Sequence, residues 1–114
     1  MSRSDSVYLQ DIVQSIDIVF AYLQNKTEFD FVNETLLQDA VIRRFEIIGE
    51  ASSKISDALK LAHPDVEWRL MKAMRNKLIH EYFGVSANTI YHTATLNLPT
   101  LKEQFLKIAF SRDL

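Results

Sequence analysis

One stretch of the chain carries four residues with suitable side chains for phosphoryl chemistry: Arg75, Asn76, His80 and Tyr82. A neutral imidazole can take a proton from a ribose 2′-hydroxyl, or return one to a leaving oxygen, because its pKa lies near physiological pH. A guanidinium can stabilise the charge that develops on phosphoryl oxygens. Asn76 lies four residues before His80 and could orient the imidazole ring or contact a phosphate. This set of side chains could cleave RNA without a metal ion.

On a helical wheel of about 100° per residue, Arg75 falls within an apolar stripe. That stripe consists of Trp68, Met71, Met74, Leu78, Ile79 and Tyr82. A buried guanidinium needs a partner, because burying an unpaired charge is costly. Arg75 and His80 are about 140° apart on an ideal helix. They would converge on one phosphate most simply in a symmetric dimer whose two copies share a cleft.

A purely structural interpretation fits the same pattern. Arg75 could pair with Glu46 or Glu50 of the preceding long helix, and His80 could be a packed histidine near a helix C-terminus. Gly49 within that helix indicates close helix–helix contact, since Gly costs about 1 kcal/mol relative to Ala at such a position. One Arg followed five residues later by one His is a weak pattern, so the wheel leaves both interpretations open.

The segments that carry these residues are predicted to be helices. Only two Gly and two Pro occur in 114 residues, too few for the turns of a β-sandwich or barrel. Residues 1–114 are therefore expected to form a single all-α domain, an antiparallel bundle of four to five helices. The predicted helices run from Ser4 or Asp5 to about Lys26, from Asn33 or Thr35 to about Ala62, from Asp65 or Val66 to about Tyr82, from a cap at Ser86 to about Asn97, and from Leu98 to Phe110. A short helical turn or loop is predicted around Phe29, Phe31 and Val32, and Gly84 is predicted to end the third helix.

Composition restricts the partners and the compartment. The formal net charge is −2, so any contact with RNA requires a local basic patch. The segment 67–80 supplies one, and its predicted RNA contacts besides Arg75 are Arg69, Lys72 and Lys77. The absence of cysteine excludes disulfide and thiol chemistry and favours the reducing cytoplasm. No apolar run is long enough for a signal peptide or a membrane span. His63 and His92 share no ligand-like spacing with His80, so neither a metal nor another cofactor is expected.

The segment 75–82, Arg-Asn-Lys-Leu-Ile-His-Glu-Tyr, reads as R-x4-H-x-Y. It resembles the signature of HepT-like HEPN ribonucleases, which are toxins of bacterial and archaeal toxin–antitoxin pairs. The resemblance extends over nearly the whole chain. It includes residues 39–43 and 47–51 of the long helix, His63-Pro64, Trp68-Arg69, residues 82–85, Leu98-Pro99 and Leu101-Lys102.

The resemblance implies a helical HEPN bundle that dimerises through this motif and cleaves RNA without a metal. Arg75 and His80 would be the catalytic pair, and Asn76 would support them. Tyr82 would be the residue to which a partner, a minimal nucleotidyltransferase antitoxin, attaches AMP, placing negative charge and bulk where RNA phosphates would lie. This chain has no Gly-rich phosphate loop, so it is not expected to be the nucleotidyltransferase itself.

Two other functions remain open at this point. A non-catalytic HEPN subunit would bind and regulate a nucleotidyltransferase while leaving RNA intact. A structural helical dimer would hold Arg75 in an ion pair, and Arg75→Ala would then mainly lower the melting temperature.

Overall fold

The computed structural model describes the backbone of residues 2–80 and 86–111; within these ranges, the side chains of Met74, residues 77–80 and residues 110–111 are not described. Every regular element in these two ranges is helical, so the all-α prediction is confirmed. The elements are α1 (Arg3–Leu23), α2 (Glu28–Val32), α3 (Thr35–Lys54), α4 (Asp57–Ala62), α5 (Trp68–His80), α6 (Ala87–His92) and α7 (Leu98–Ser111), with a π-helical segment (Thr93–Asn97) between α6 and α7. No helix in the described ranges is both long and apolar enough to cross a membrane.

The core forms where α3 packs on α1 and α5, and α7 packs on α1. Apolar residues three or four positions apart place one stripe of each helix in the interior, as the sequence predicts. The stripes include Leu9, Ile12, Ile16 and Val19 of α1, Val41, Phe45 and Ile48 of α3, and Leu101, Phe105 and Ile108 of α7, all buried. These contacts fix α5 against α3, and α5 carries the candidate site.

The prediction of one long second helix to Ala62 is wrong, because α3 ends at Lys54 and α4 starts at Asp57. Ser56 lies between them in an extended conformation, and its hydroxyl accepts a hydrogen bond from the backbone N–H of Leu59 at 3.2 Å. The buried carboxylate of Asp5 accepts bonds from the N–H of Ser56 at 2.8 Å and from its hydroxyl at 2.6 Å. The Asp5 carboxylate therefore accepts from the backbone N–H of Ser56, which has no partner within a helix because α3 has ended.

Several predicted helix ends shift by a few residues. Ser2, rather than Ser4 or Asp5, caps α1 by accepting a bond from the N–H of Asp5 at 3.0 Å. α1 ends at Leu23 instead of Lys26, and Asn25 turns the chain with a φ of 63°, which asparagine tolerates better than most residues. α5 begins at Trp68, later than the predicted Asp65 or Val66. The short helical turn is confirmed as α2. The predicted end of the third helix at Tyr82 and its stop at Gly84 lie outside the described residues.

A turn does not separate the last two predicted helices. Ser86 caps α6 as predicted, accepting a bond from the N–H of Thr89 at 3.2 Å. The chain then continues through the π-helical segment into α7, and the N–H of Leu98 bonds the carbonyl of Thr93, five residues back. Pro99 has no N–H, and in a regular α-helix its ring would clash with the carbonyl four residues before it. The π-helical hydrogen-bond pattern accommodates proline at this position.

Candidate active site

The N-terminal half of α5 is anchored before the site begins. The indole N–H of Trp68 donates a hydrogen bond to the carbonyl of His63 at 2.9 Å. The Trp68 ring packs edge-on against Phe105 with 5.6 Å between centroids, and Met71 is buried one turn later. Side chains further along α5 therefore project from a fixed helix.

Arg75 forms an ion pair with Glu50 of α3. The distance between Arg75 Nη2 and Glu50 Oε2 is 2.7 Å, and the two side chains are 27% and 47% exposed. The expectation of a partner on the long helix is confirmed for Glu50, whereas Glu46 lies 3.8 Å from Arg43. Arg75 Nε is buried and has no hydrogen-bond partner among the described residues. Because a guanidinium carries five N–H donors, the pair with Glu50 leaves donors for a second anion.

Gly49 makes room for the Arg75 side chain. A Cβ added at Gly49 would lie 2.4 Å from Arg75 Cβ, 3.0 Å from its Cγ and 3.2 Å from its Cδ. Only a residue without a side chain lets α3 and α5 approach so closely, so the interpretation of Gly49 as a close helix–helix contact is confirmed. Gly49 and Glu50 together hold the stem and the head of Arg75.

The guanidinium of Arg75 lines a groove of about 340 Å³, here called the Arg75 groove. Its charged lining residues are Asp11 of α1, Arg43, Glu46, Glu50 and Lys54 of α3, and Arg75. Three carboxylates therefore balance three cations, and Lys54 also contacts Glu50 at 3.6 Å. Despite these carboxylates, no group of three or more His, Cys, Asp or Glu side chains in the described residues is arranged to hold a metal ion.

The other residues of the motif are described to different extents. Asn76 follows Arg75 on α5 and its side chain is exposed. His80 is the last residue of α5, but its side chain and that of Lys77 lie outside the described residues, as does the whole of Tyr82. The convergence of His80 with Arg75 on one phosphate therefore stays a prediction.

Arg69 and Lys72, two of the three predicted RNA contacts, are exposed on α5. They line a second groove of about 540 Å³, here called the basic groove, together with Lys60 of α4. Lys60 was not among the predicted RNA contacts, because it lies outside the basic segment 67–80. The signal available was a lysine near the end of the helix before His63-Pro64, which is too common to single out.

The family model for HepT-like ribonucleases matches residues 12–108, and the chain belongs to this family. It is 42% identical over 108 residues to "Probable ribonuclease HepT" of Thermococcus cleftensis, covering 95% of this chain and 98% of that protein. It is 35% identical over 106 residues to "Putative RNase MJ1216" of Methanocaldococcus jannaschii, covering 93% and 88% of the two chains. A two-activity protein of the same organism, "Gamma-glutamylcyclotransferase and putative RNase MJ0434", is 39% identical over 113 residues, and the chain spans 51% of its length. No solved structure gives a significant match.

Proposed function

We propose that this chain is a metal-independent endoribonuclease toxin of a toxin–antitoxin pair, with a composite active site in the cleft of a homodimer. The observation that carries the proposal is the ion pair that holds the Arg75 guanidinium, in which Arg75 Nη2 lies 2.7 Å from Glu50 Oε2. Arg75 lies on α5, the helix that also carries Asn76 and His80. Membership of the HepT-like ribonuclease family supplies the reaction class.

In the proposed reaction, His80 accepts the proton of a ribose 2′-hydroxyl. The 2′-oxygen attacks the adjacent phosphorus and the bond from phosphorus to the 5′-oxygen breaks. The 5′-oxygen takes a proton from water, and the protonated His80 returns its proton to the solvent. The products are a 2′,3′-cyclic phosphate and a 5′-hydroxyl. The N–H groups of Arg75 that Glu50 leaves available bind the phosphoryl oxygens as negative charge develops on them. Asn76 supports this pair by orienting the imidazole or binding a neighbouring phosphate.

The ion pair with Glu50 positions the Arg75 guanidinium before phosphate binds. An arginine stem packed on Gly49 loses little further freedom when it binds phosphate, because the packing has already removed most of that freedom. This preorganisation is what a group that stabilises a transition state requires.

The homodimer is proposed because Arg75 and His80 are about 140° apart on one ideal helix. A mixing experiment tests whether each active site takes one residue from each subunit. Inactive Arg75→Ala and His80→Ala proteins are unfolded, mixed and refolded, and RNA cleavage is measured. A composite site predicts that about half of the dimers are mixed and have one intact site, giving about a quarter of the wild-type rate. A mixture as inactive as its components would contradict the composite site.

Regulation is proposed to occur at Tyr82, by transfer of AMP from a minimal nucleotidyltransferase antitoxin. The added phosphate brings negative charge and bulk beside the catalytic pair, which repels RNA. Incubation with ATP and a minimal nucleotidyltransferase antitoxin should raise the mass by whole AMP units and abolish cleavage. Tyr82→Phe should stay unmodified and active; inhibition of Tyr82→Phe to the same extent would contradict the assignment.

The same ion pair is compatible with a second function, a non-catalytic subunit that binds and regulates a nucleotidyltransferase. In that case Glu50 would only lock Arg75, as the balanced charges of the Arg75 groove allow. A folded, dimeric and unmodified sample that binds the nucleotidyltransferase but leaves all RNA intact would select this function.

A further inference from the structure

The basic groove differs from the Arg75 groove in its charge. Lys60, Arg69 and Lys72 line it against a single carboxylate, that of Glu67. The groove therefore has an excess of two positive charges in a chain whose formal net charge is −2. Such a local excess attracts anions that the whole-molecule field does not.

The three cations of the basic groove are available to an external anion. No carboxylate of the described residues forms an ion pair with any of them. In the Arg75 groove, by contrast, Arg43, Lys54 and Arg75 all have carboxylate partners. A phosphate entering the basic groove would not have to displace an intramolecular partner, at least within this part of the chain.

Both walls of the basic groove are held in place. Lys60 lies on α4, and Ser56, the residue that caps the start of α4, donates hydrogen bonds to the buried Asp5. Arg69 is carried by the first turn of α5, which the bond from Trp68 to the carbonyl of His63 anchors. Buried and hydrogen-bonded groups therefore hold α4 and α5 at a fixed spacing, and the three cations do not have to move into place when an anion binds.

The exposed face of α5 that borders the basic groove continues to Asn76 of the candidate active site. Arg69, Lys72 and Asn76 are exposed, and their positions fall within about 60° of one another on α5. Successive members are three or four residues apart, which is about one helical turn or 5.4 Å. An extended anion that follows this face passes from the groove to Asn76, next to Arg75.

We propose that the basic groove binds the phosphate backbone of single-stranded RNA beside the cleaved bond, with Lys60, Arg69 and Lys72 each contacting phosphate. This inference rests on the proposed function and extends its substrate-binding surface to α4. Contacts of this kind set affinity and register without reading sequence. Because the exposed face of Arg69 and Lys72 continues along α5 to Asn76, a nucleic acid that reaches the active site is favoured over an acidic protein segment, which has no reason to extend toward Arg75.

Binding to a labelled single-stranded RNA, measured by fluorescence anisotropy at several salt concentrations, tests the proposal without depending on cleavage. All variants are made in a His80→Ala background to keep the RNA intact. The groove variants are Arg69→Gln/Lys72→Gln and Lys60→Gln. The matched control is Arg3→Gln/Lys107→Gln, which removes one exposed arginine and one exposed lysine elsewhere and has the same net charge as the double groove variant.

We expect the double groove variant to raise Kd at least roughly tenfold and to lower the slope of log affinity against log salt by about 1.4, or about 0.7 per lost phosphate contact. Lys60→Gln should lower the slope by about 0.7. The control should change neither quantity. Lys60→Arg/Lys72→Arg should retain the affinity of the His80→Ala parent, because both replacements keep the positive charge that contacts phosphate.

Three results would overturn the inference. The first is a groove variant with the Kd and salt slope of the control. The second is a His80→Ala parent protein that binds no RNA. The third is tighter binding of labelled polyglutamate than of RNA, which would assign the groove to an acidic protein segment. Groove-dependent RNA binding by a protein that never cleaves RNA would support the groove and refute only the proposed catalytic function.

Discussion

Replacing Gly49 by alanine tests the contact that positions Arg75. The added Cβ would lie 2.4 Å from Arg75 Cβ, whereas carbon atoms in contact are normally about 3.5–4.0 Å apart. Both atoms are attached directly to helix backbones, so no side-chain rotation can relieve the overlap. α3 and α5 must therefore move apart by about 1 Å, since that is the size of the shortfall.

The expected magnitude combines two opposing effects. Overpacking of a core costs about 1–3 kcal/mol, and the better helix propensity of alanine returns about 1 kcal/mol. We expect the free energy of unfolding to fall by about 0–2 kcal/mol, which lowers the melting temperature by up to about 10 °C. Since the guanidinium moves with its helix, a displacement of about 1 Å should lower the rate of RNA cleavage roughly 100-fold.

The assay is a set of denaturation curves at one fixed protein concentration, because dimerisation would make the melting temperature concentration-dependent. In an Arg75→Gly background, which removes the opposing Cβ, Gly49→Ala should raise the free energy of unfolding by about 1 kcal/mol. In an Arg75→Ala background, which keeps that Cβ, Gly49→Ala should still destabilise. A Gly49→Ala protein with a higher free energy of unfolding than the wild type and an unchanged rate of RNA cleavage would contradict this prediction.

Two further substitutions test the partners of the site and of the fold. Glu50→Ala should change the free energy of unfolding by less than about 1 kcal/mol, because the pair with Arg75 is partly exposed. The rate of RNA cleavage should fall roughly tenfold. A large loss of stability with full cleavage would instead indicate that the pair is structural. Burial acts to raise the pKa of Asp5, but the hydrogen bonds with Ser56 and Ser2 outweigh it and lower the pKa below its ordinary value of 3.8. The ionised Asp5 therefore stabilises the fold above about pH 3.8, and this contribution is lost as the pH falls through the lower folded-state value. Asp5→Asn should lower the free energy of unfolding by about 1–3 kcal/mol at pH 7. Denaturation curves from pH 7 to pH 2 should show that the wild type loses more stability than Asp5→Asn in the acidic range. An equal loss in the two proteins would contradict this role of Asp5.

Local patterns in the sequence predicted most of the helices, and they limited the partner of Arg75 to Glu46 or Glu50. Apolar spacing places the core stripes correctly, and Ser86 caps α6 as its residue type suggests. Gly49 was predicted to make a close helix contact and Glu50 was one of two predicted partners, because a glycine inside a helix and an arginine within an apolar stripe are local anomalies with few physical explanations.

The features that the sequence did not reveal depend on contacts between distant residues. The break at Ser56 is stabilised by Asp5, which is 51 residues away. Ile55 and Leu59 continue the apolar spacing across the break and are both buried, so periodicity alone gives no sign of it. The assignment of Lys60 to the wall of the basic groove follows from that break, since it places Lys60 on the separate helix α4.

The chain is proposed to cleave RNA at a site centred on Arg75 and His80. The direct measurement is incubation of purified, unmodified protein with total cellular RNA in EDTA, beside Arg75→Ala and His80→Ala variants shown to be folded, followed by mapping of the product ends. We expect cleavage by the wild type alone, leaving 2′,3′-cyclic or 3′-phosphate ends. Intact RNA in every sample, or equal cleavage by the wild type and both variants, would contradict it.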